Sequence, residues 1–293
     1  MSGASERVWR KLPTNLRDSL VDGLSPSELQ SLLLDISRQR AAKVSPARVI
    51  DRWRADRFVQ PSTTDPRKLA RTQARLWELL PDQFVGLELS PLTPLGTCSA
   101  VATVNQDKVV STIRNTEVAS DPTNVLALEA AVRRRAGADR VDLATCQRVV
   151  RAQREDAPGL FAHFQLFALV SSARDTGSAR TEAQLLLDHL GFWHDVLGER
   201  ARFNFTTFGP SAVRERIVDT VRPALKTEFA EDTEREKGSN YYADAAIGIA
   251  TTDGELGDGG FTRWTAELLG DAKERCLISC ISTERLTALR PNG

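Results

Sequence analysis

Between Val141 and Ser172 the apolar residues gather in two runs instead of recurring at helical spacing. Val141 to Val150 is one run, closed by Arg151. The turn Asp156-Ala157-Pro158-Gly159 interrupts, and Leu160 to Ser172 resumes with Phe161, Phe164, Leu166, Phe167 and Val170. Two runs rich in Val and Phe about a charged Pro-Gly turn predict an antiparallel hairpin. A cation at the end of its first strand and an amide, Gln165, in its second are placed to face one site. Toward the N-terminus the period becomes helical. Ser25-Pro26-Ser27-Glu28 is a cap-like start followed by Leu29, Leu32, Leu33 and Ile36. Ser45-Pro46 starts a second helix through Val49, Ile50 and Trp53, and the stretch from Gln60 to Pro66 reads as a linker. From Lys68, Leu69, Leu76, Trp77 and Leu80 form one stripe, with Gln73 its polar exception.

Further strands are expected at Phe84 to Leu89, Val109 to Ile113, Tyr241 to Thr251 and Leu277 to Ile281. Ser120-Asp121-Pro122-Thr123-Asn124 caps a helix running through Arg133, with Val125, Leu126, Leu128 and Ala131 inward. Helices are also expected at Thr181 to Leu197, at Ser211 to Phe229 with a bend at Pro223, after Gly259-Gly260, and at Thr283 to Leu289. Strands mixed with helices predict an α+β fold, a mostly antiparallel sheet flanked by helices. The expected division is an N-terminal helical segment and linker over 1–66, then one domain over 67–293. A chain of 293 residues can bury one large core plus a small appendage.

Composition removes several classes. With 39 basic and 39 acidic residues, overall charge points to neither nucleic acid nor membrane. Arg38, Arg40, Arg48, Arg52, Arg54 and Arg57 alternate with acids, as on a solvated helical surface, with a nucleic-acid arm the alternative. Cys98, Cys146, Cys276 and Cys280 form no CxxC pair and lie apart from the three histidines, so reduced structural thiols are expected in place of a zinc knuckle. Neither a secretory segment nor a membrane-spanning run is present, and a soluble cytoplasmic protein is the expectation. The run Gly254 to Gly260 has neither the acidic spacing of an EF-hand nor the Lys-Ser/Thr end of a P-loop; it reads as a tight hairpin or a strand-to-helix turn.

The order of these pieces resembles the catalytic domain of class II aminoacyl-tRNA synthetases, with histidyl-tRNA synthetase and its stand-alone paralogues nearest. Phe84 to Pro91 is similar to that family's first motif, a strand ending in proline at a dimer interface. Ser120-Asp121-Pro122-Thr123 falls where the family holds the amino acid's ammonium. Arg151 matches the second motif's arginine, which grips α-phosphate and carboxylate, and Gln165 matches a substrate-contacting glutamine. Lys237 to Tyr242 resembles the family's Arg-Gly-Leu-Asp-Tyr-Tyr signature, and Gly259 to Trp264 falls on its Gly-Gly-Arg-Tyr-Asp. Ile278 to Arg285 matches the third motif, whose arginine contacts ATP. The resemblance covers roughly 68–290.

It implies ATP and Mg²⁺ as cofactors, with Arg151, Gln153 and Arg285 at the nucleotide. It also implies Asp121, Thr123, Gln165, Tyr241 and Tyr242 at the substrate, and a catalytic set of Arg151, Arg285 and Lys237. Planar guanidinium groups suit a phosphoryl group on which charge spreads. Of the two tyrosines, one is expected to face the pocket and its neighbour the other layer. A homodimer about Phe84 to Pro91 is implied as well. Departures are evident. Gln153 replaces an acid that reads adenine, and Leu169 stands for a glutamate that holds the ammonium. Lys237 replaces an arginine, Ser279 and Ser282 interrupt the glycine frame of the third motif, and Phe261, Thr262 and Arg263 replace the side chains associated with histidine selection. The chain ends at Gly293 where an anticodon-binding domain would follow, so ordinary tRNA charging is not expected. The sequence therefore predicts a stand-alone ligase that adenylates an amino acid or related carboxylic acid and passes it to another acceptor, such as a protein. The alternative is a non-catalytic regulatory or binding subunit acting on an enzyme partner.

Overall fold

The computed structural model describes residues 3–153, 161–209, 212–225, 227–235, 238 and 241–289. The predicted hairpin is its spine. β4 (Arg140–Val150) and β5 (His163–Arg174) pair antiparallel from Arg140 against Ala173 to Val150 against His163. The expected tip at 156–159 lies outside the described residues.

Around the hairpin, an eight-stranded sheet has the order β1-β4-β5-β10-β9-β8-β6-β7. The other members are β1 (Val85–Gly86), β6 (Arg202–Thr207), β7 (Phe229–Glu231), β8 (Ala243–Thr251), β9 (Gly254–Thr262) and β10 (Glu274–Ser282). Both edge pairings, β1 with β4 and β6 with β7, are parallel, and the inner pairings are antiparallel. β2 (Leu92–Pro94) and β3 (Thr116–Val118) form a separate small ribbon. The α+β expectation holds.

Strand alternation divides the large sheet into two faces. One is covered by α8 (Arg180–Leu197), which buries Leu186, Leu190, Phe192 and Trp193 against Phe167, Leu169 and Leu277. The other is covered in part by α7 (Pro122–Arg135), whose Leu126, Ala127 and Ala130 pack on Leu143, Ala168 and Val170. Val125 and Leu128, expected to point inward, are only half-buried because small alanines let α7 lie close along a neighbouring line.

The α8 face also buries a polar cluster. Ser171 Oγ donates to Asp142 Oδ1 at 2.5 Å and stands 2.9 Å from His189 Nε2. Its single proton being spent on Asp142, Ser171 accepts from Nε2–H, so His189 Nδ1 accepts from Ser279 Oγ at 2.8 Å. Trp193 Nε1 donates to the same Ser279 Oγ at 2.8 Å. Burial, reinforced by Arg140, pushes the His189 pKa down to about 3, and the ring is neutral.

Several expected elements shift. Val109 to Ile113 forms no strand: Ser111 makes one bridge to Glu117, and the ribbon strand is β3 instead. The buried Glu117 carboxylate fixes this loop, accepting from Gly96 N at 2.9 Å, Cys98 N at 2.8 Å and Gln106 Nε2 at 2.8 Å. Phe84 to Leu89 contributes only Val85–Gly86 as strand, because side chains take over the ladder: Thr145 Oγ1 donates to Leu87 O and Gln147 Nε2 to Ser90 O. The helix expected over 211–229 runs from Ala212 to Ala224 with a π turn at Ile217–Val221 just before Pro223, and Phe229 opens β7. Gly259 and Gly260 lie inside β9, and the helix α11 (Trp264–Leu269) begins later. They are needed there, since a Cβ on Gly259 would stand 2.3 Å from Ile278 O of β10.

Before the sheet, α1 (Gly3–Trp9), α2 (Leu16–Val21), α3 (Pro26–Ala41) and α4 (Pro46–Ala55) bury no residue. The Ser25–Glu28 capping box forms as expected, and α5 (Pro66–Glu78) packs Leu69 and Leu76 inward. Residues 38–75 hold eleven Arg and Lys against three Asp, an asymmetry hidden in the neutral total. Among the described residues no helix is long and apolar enough to cross a membrane.

Candidate functional site

A cavity of about 310 Å³ opens on the α7 face. Asp121 begins its charged wall. As the N-cap of α7, its Oδ1 accepts from Thr123 N at 3.0 Å and Thr123 Oγ1 at 2.7 Å. Thr123 is therefore buried behind Asp121, which it positions, and does not line the cavity. The second oxygen of Asp121 meets Arg151 Nη2 at 3.3 Å, and Arg151 Nε donates to Ser120 O at 3.0 Å. The Arg151 guanidinium also lies 5.0 Å from the centre of the Phe164 ring. Gln153 lines the cavity beside it.

Tyr241 and Tyr242 both line the cavity, contrary to the alternation expected of a strand. They precede β8 in a turn, where both N–H groups donate to Gly238 O, at 2.9 and 2.8 Å. Their rings meet edge to face at 4.9 Å, and Tyr241 in turn contacts Trp264. Burial holds both hydroxyls well above their ordinary pKa, so both are neutral donors. Gly238 has φ +93° and presents its backbone to the Tyr242 ring, where a Cβ would come within 2.9 Å. Lys237 lies outside the described residues.

Asp258 also lines the cavity, paired with Arg235 at 2.9 Å. Burial raises the Asp258 carboxyl above its usual range, opposed by the charge of Arg235 and hydrogen bonds from Arg235 and Tyr242. Cys98, Ala102 and Val104 supply the apolar wall. Burial pushes the Cys98 thiol up, and Ser120 Oγ donates to its sulfur at 3.2 Å. Asn124, one helical turn after Asp121, also lines the cavity.

Two expected members are elsewhere. Gln165 pairs with Arg148 in the hairpin register, and Arg148 is odd-numbered steps from Arg151, so Gln165 faces the opposite side of the sheet. There its Oε1 accepts from Gln73 Nε2 at 2.5 Å and Thr283 Oγ1 at 3.0 Å, which also explains the polar exception in the α5 stripe. Leu169 lies on that same closed face, while Phe164 and Ala168 share the face of the cavity. Arg285 sits exposed in the first turn of α12 (Thr283–Ala288) with Nη1 3.5 Å from Glu255 O, and does not line the cavity. Ser282 Oγ caps that helix through Arg285 N. Ser279 faces α8 and narrows nothing at the cavity; Ile278 lies on the α7 side.

Sequence reasoning missed Asn124, Asp258, Arg235 and Phe164. For Asp258 a signal existed, an acid set between glycines at Gly257 and Gly259.

Solved structures share this architecture. A Bacillus halodurans protein described as an ATP phosphoribosyltransferase regulatory subunit/histidyl-tRNA synthetase matches with TM-score 0.59 and 13% identity, over 80% of this chain and 83% of that one. A histidine–tRNA ligase subunit from Alicyclobacillus acidocaldarius matches with TM-score 0.60 and 11% identity, over 79% and 95%. The chain has a class II synthetase-like fold. Pyrrolysyl-tRNA synthetase from Desulfitobacterium hafniense shares it too, with TM-score 0.53 and 14% identity over 82% and 73%. No protein-family profile and no curated sequence matches the chain.

Proposed function

We propose that the cavity on the α7 face binds a free amino acid or a closely related small zwitterion, and that the protein acts as a ligand-binding module on a synthetase-like fold. One observation carries this reading: Asp121 and Arg151 stand side by side at 3.3 Å on the wall of a cavity of about 310 Å³. A zwitterion laid head to tail along that pair meets a carboxylate with its ammonium and a guanidinium with its carboxylate. The volume suits a ligand of amino-acid size.

ATP and Mg²⁺ fit this arrangement only in part. Arg151 and Gln153 line the cavity, but Arg285 does not, and Gln165 is on the other face. Among the described residues no group of three or more His, Cys, Asp or Glu side chains is spaced to hold a metal. Adenylation of the bound carboxylate is the second reading, favoured by Arg151 and Gln153 sharing one cavity with Asp121.

Isothermal titration of the protein with L-amino acids tests the first reading. Binding is expected, weakened roughly tenfold to a hundredfold by Arg151→Ala or Asp121→Asn, as for loss of a charge-assisted hydrogen bond. Absence of binding by every amino acid would sink it. Pyrophosphate release from ATP and Mg²⁺ in the presence of a binding amino acid separates the second reading from the first.

A two-fold dimer through the β1 edge completes the proposal. Val85, Leu92 and Leu95 are 46%, 41% and 50% exposed along this outermost strand and the ribbon beside it. Sedimentation velocity at micromolar concentration is expected to give a dimer that Leu92→Asp dissociates; a monomeric wild type would remove this part.

A further inference from the structure

We infer that Asn124 reads a carboxamide on the side chain of the bound amino acid, so that the cavity prefers amide-bearing amino acids to apolar ones of equal size. The inference rests on the amino-acid reading above and adds the class of side chain. Asn124 is 2% exposed and lines the cavity. Its Oδ1 has no hydrogen-bond partner, and none of the described residues bonds its amide at either end.

Such an atom is costly in a finished interior, because water has been removed and nothing has replaced it. Three other buried residues leave one oxygen unpaired: the Thr262 hydroxyl lies beside the Cys276 thiol and away from this cavity, and Gln147 and Glu182 are each anchored through their other end. Gln147 Nε2 donates to Ser90 O at 2.6 Å, and Glu182 Oε1 accepts from Arg275 Nε at 2.7 Å. Asn124 is anchored at neither end and borders the cavity, where a small rotation of its amide would meet a ligand.

The complement of a primary amide is another amide. It offers a donor and an acceptor together, and pairs with Asn124 whichever way its amide is turned. Position agrees with this. Asn124 follows the N-cap Asp121 by three residues in the first turn of α7, and both line the cavity. An apolar ligand of the same length would seal Asn124 away from water and leave it unpaired, which strengthens rejection beyond the lost hydrogen bonds.

The test is a titration of the whole protein with four ligands, L-glutamine and L-asparagine against L-methionine and L-leucine, on wild type and Asn124→Leu. At least one amide ligand is expected to bind wild type about tenfold or more tightly than either apolar ligand. Asn124→Leu is expected to collapse or invert that ratio. Because the ratio is taken on one sample, a fraction of variant that fails to fold cancels from it. Equal affinity of wild type for amide and apolar ligands overturns the inference and leaves the amino-acid reading standing. A ratio that survives in Asn124→Leu overturns it as well. Failure of every amino acid to bind removes both.

Discussion

Two buried polar sites on opposite faces of the central sheet are completed differently. On the α8 face the His189 cluster is closed: Ser171, Ser279, Trp193 and Asp142 satisfy one another, and the imidazole is bonded at both nitrogens. On the α7 face, a few strands away, Asn124 is as deeply buried and bonded to nothing, while Arg151 and Asp121 retain side-chain exposures of 44% and 20%. A satisfied network adds specificity and stability to the core. An unsatisfied one beside a cavity defers its last bonds to a ligand. The difference separates scaffold from site without reference to any motif.

The comparison is sharpened most by Trp193→Ala. It deletes a fully buried ring and leaves Ser279 short of a donor, so a loss of roughly 3–5 kcal/mol is expected in urea unfolding. Arg151→Ala, on the open face, is expected to change stability by about 1 kcal/mol or less, since its ion pair is exposed. Equal losses for the two would break the distinction.

Acid acts on the same axis, by a smaller amount per pH unit. The His189 pKa is lowered from 6.5 to about 3 in the fold, so below 6.5 the unfolded chain binds the extra proton. Stability contributed by the neutral ring is complete above pH 6.5 and declines by about 1.4 kcal/mol per pH unit as pH falls toward 3. Urea titrations on either side of pH 6.5 should show this slope, and His189→Gln should flatten it. An unchanged slope in the variant would move the acid sensitivity to the carboxylates.

The sequence carried the architecture further than the site. The hairpin, the caps at Ser25 and Asp121, the α8 helix and β10 all fall close to their expected places. Each is set by local chemistry: a side chain that caps its own helix, or a run of residues with one period. Asp121, Arg151, Gln153, Tyr241 and Tyr242, which the resemblance assigns to nucleotide and substrate, all line one cavity. The matches failed where a face had to be chosen. Gln165 is one residue from Phe164, yet in a strand that single step carries it through the sheet.

What the sequence determined by itself was therefore which segments are helix or strand and in what order a synthetase-like fold could take them. Those outcomes depend on neighbours a few residues apart. The tertiary structure alone decided which side of the sheet each candidate serves, that Arg285 stands outside the cavity, and that Asp258 and Asn124 stand within its wall. Register, parity and the convergence of residues more than a hundred positions apart are set by packing, which no local pattern encodes.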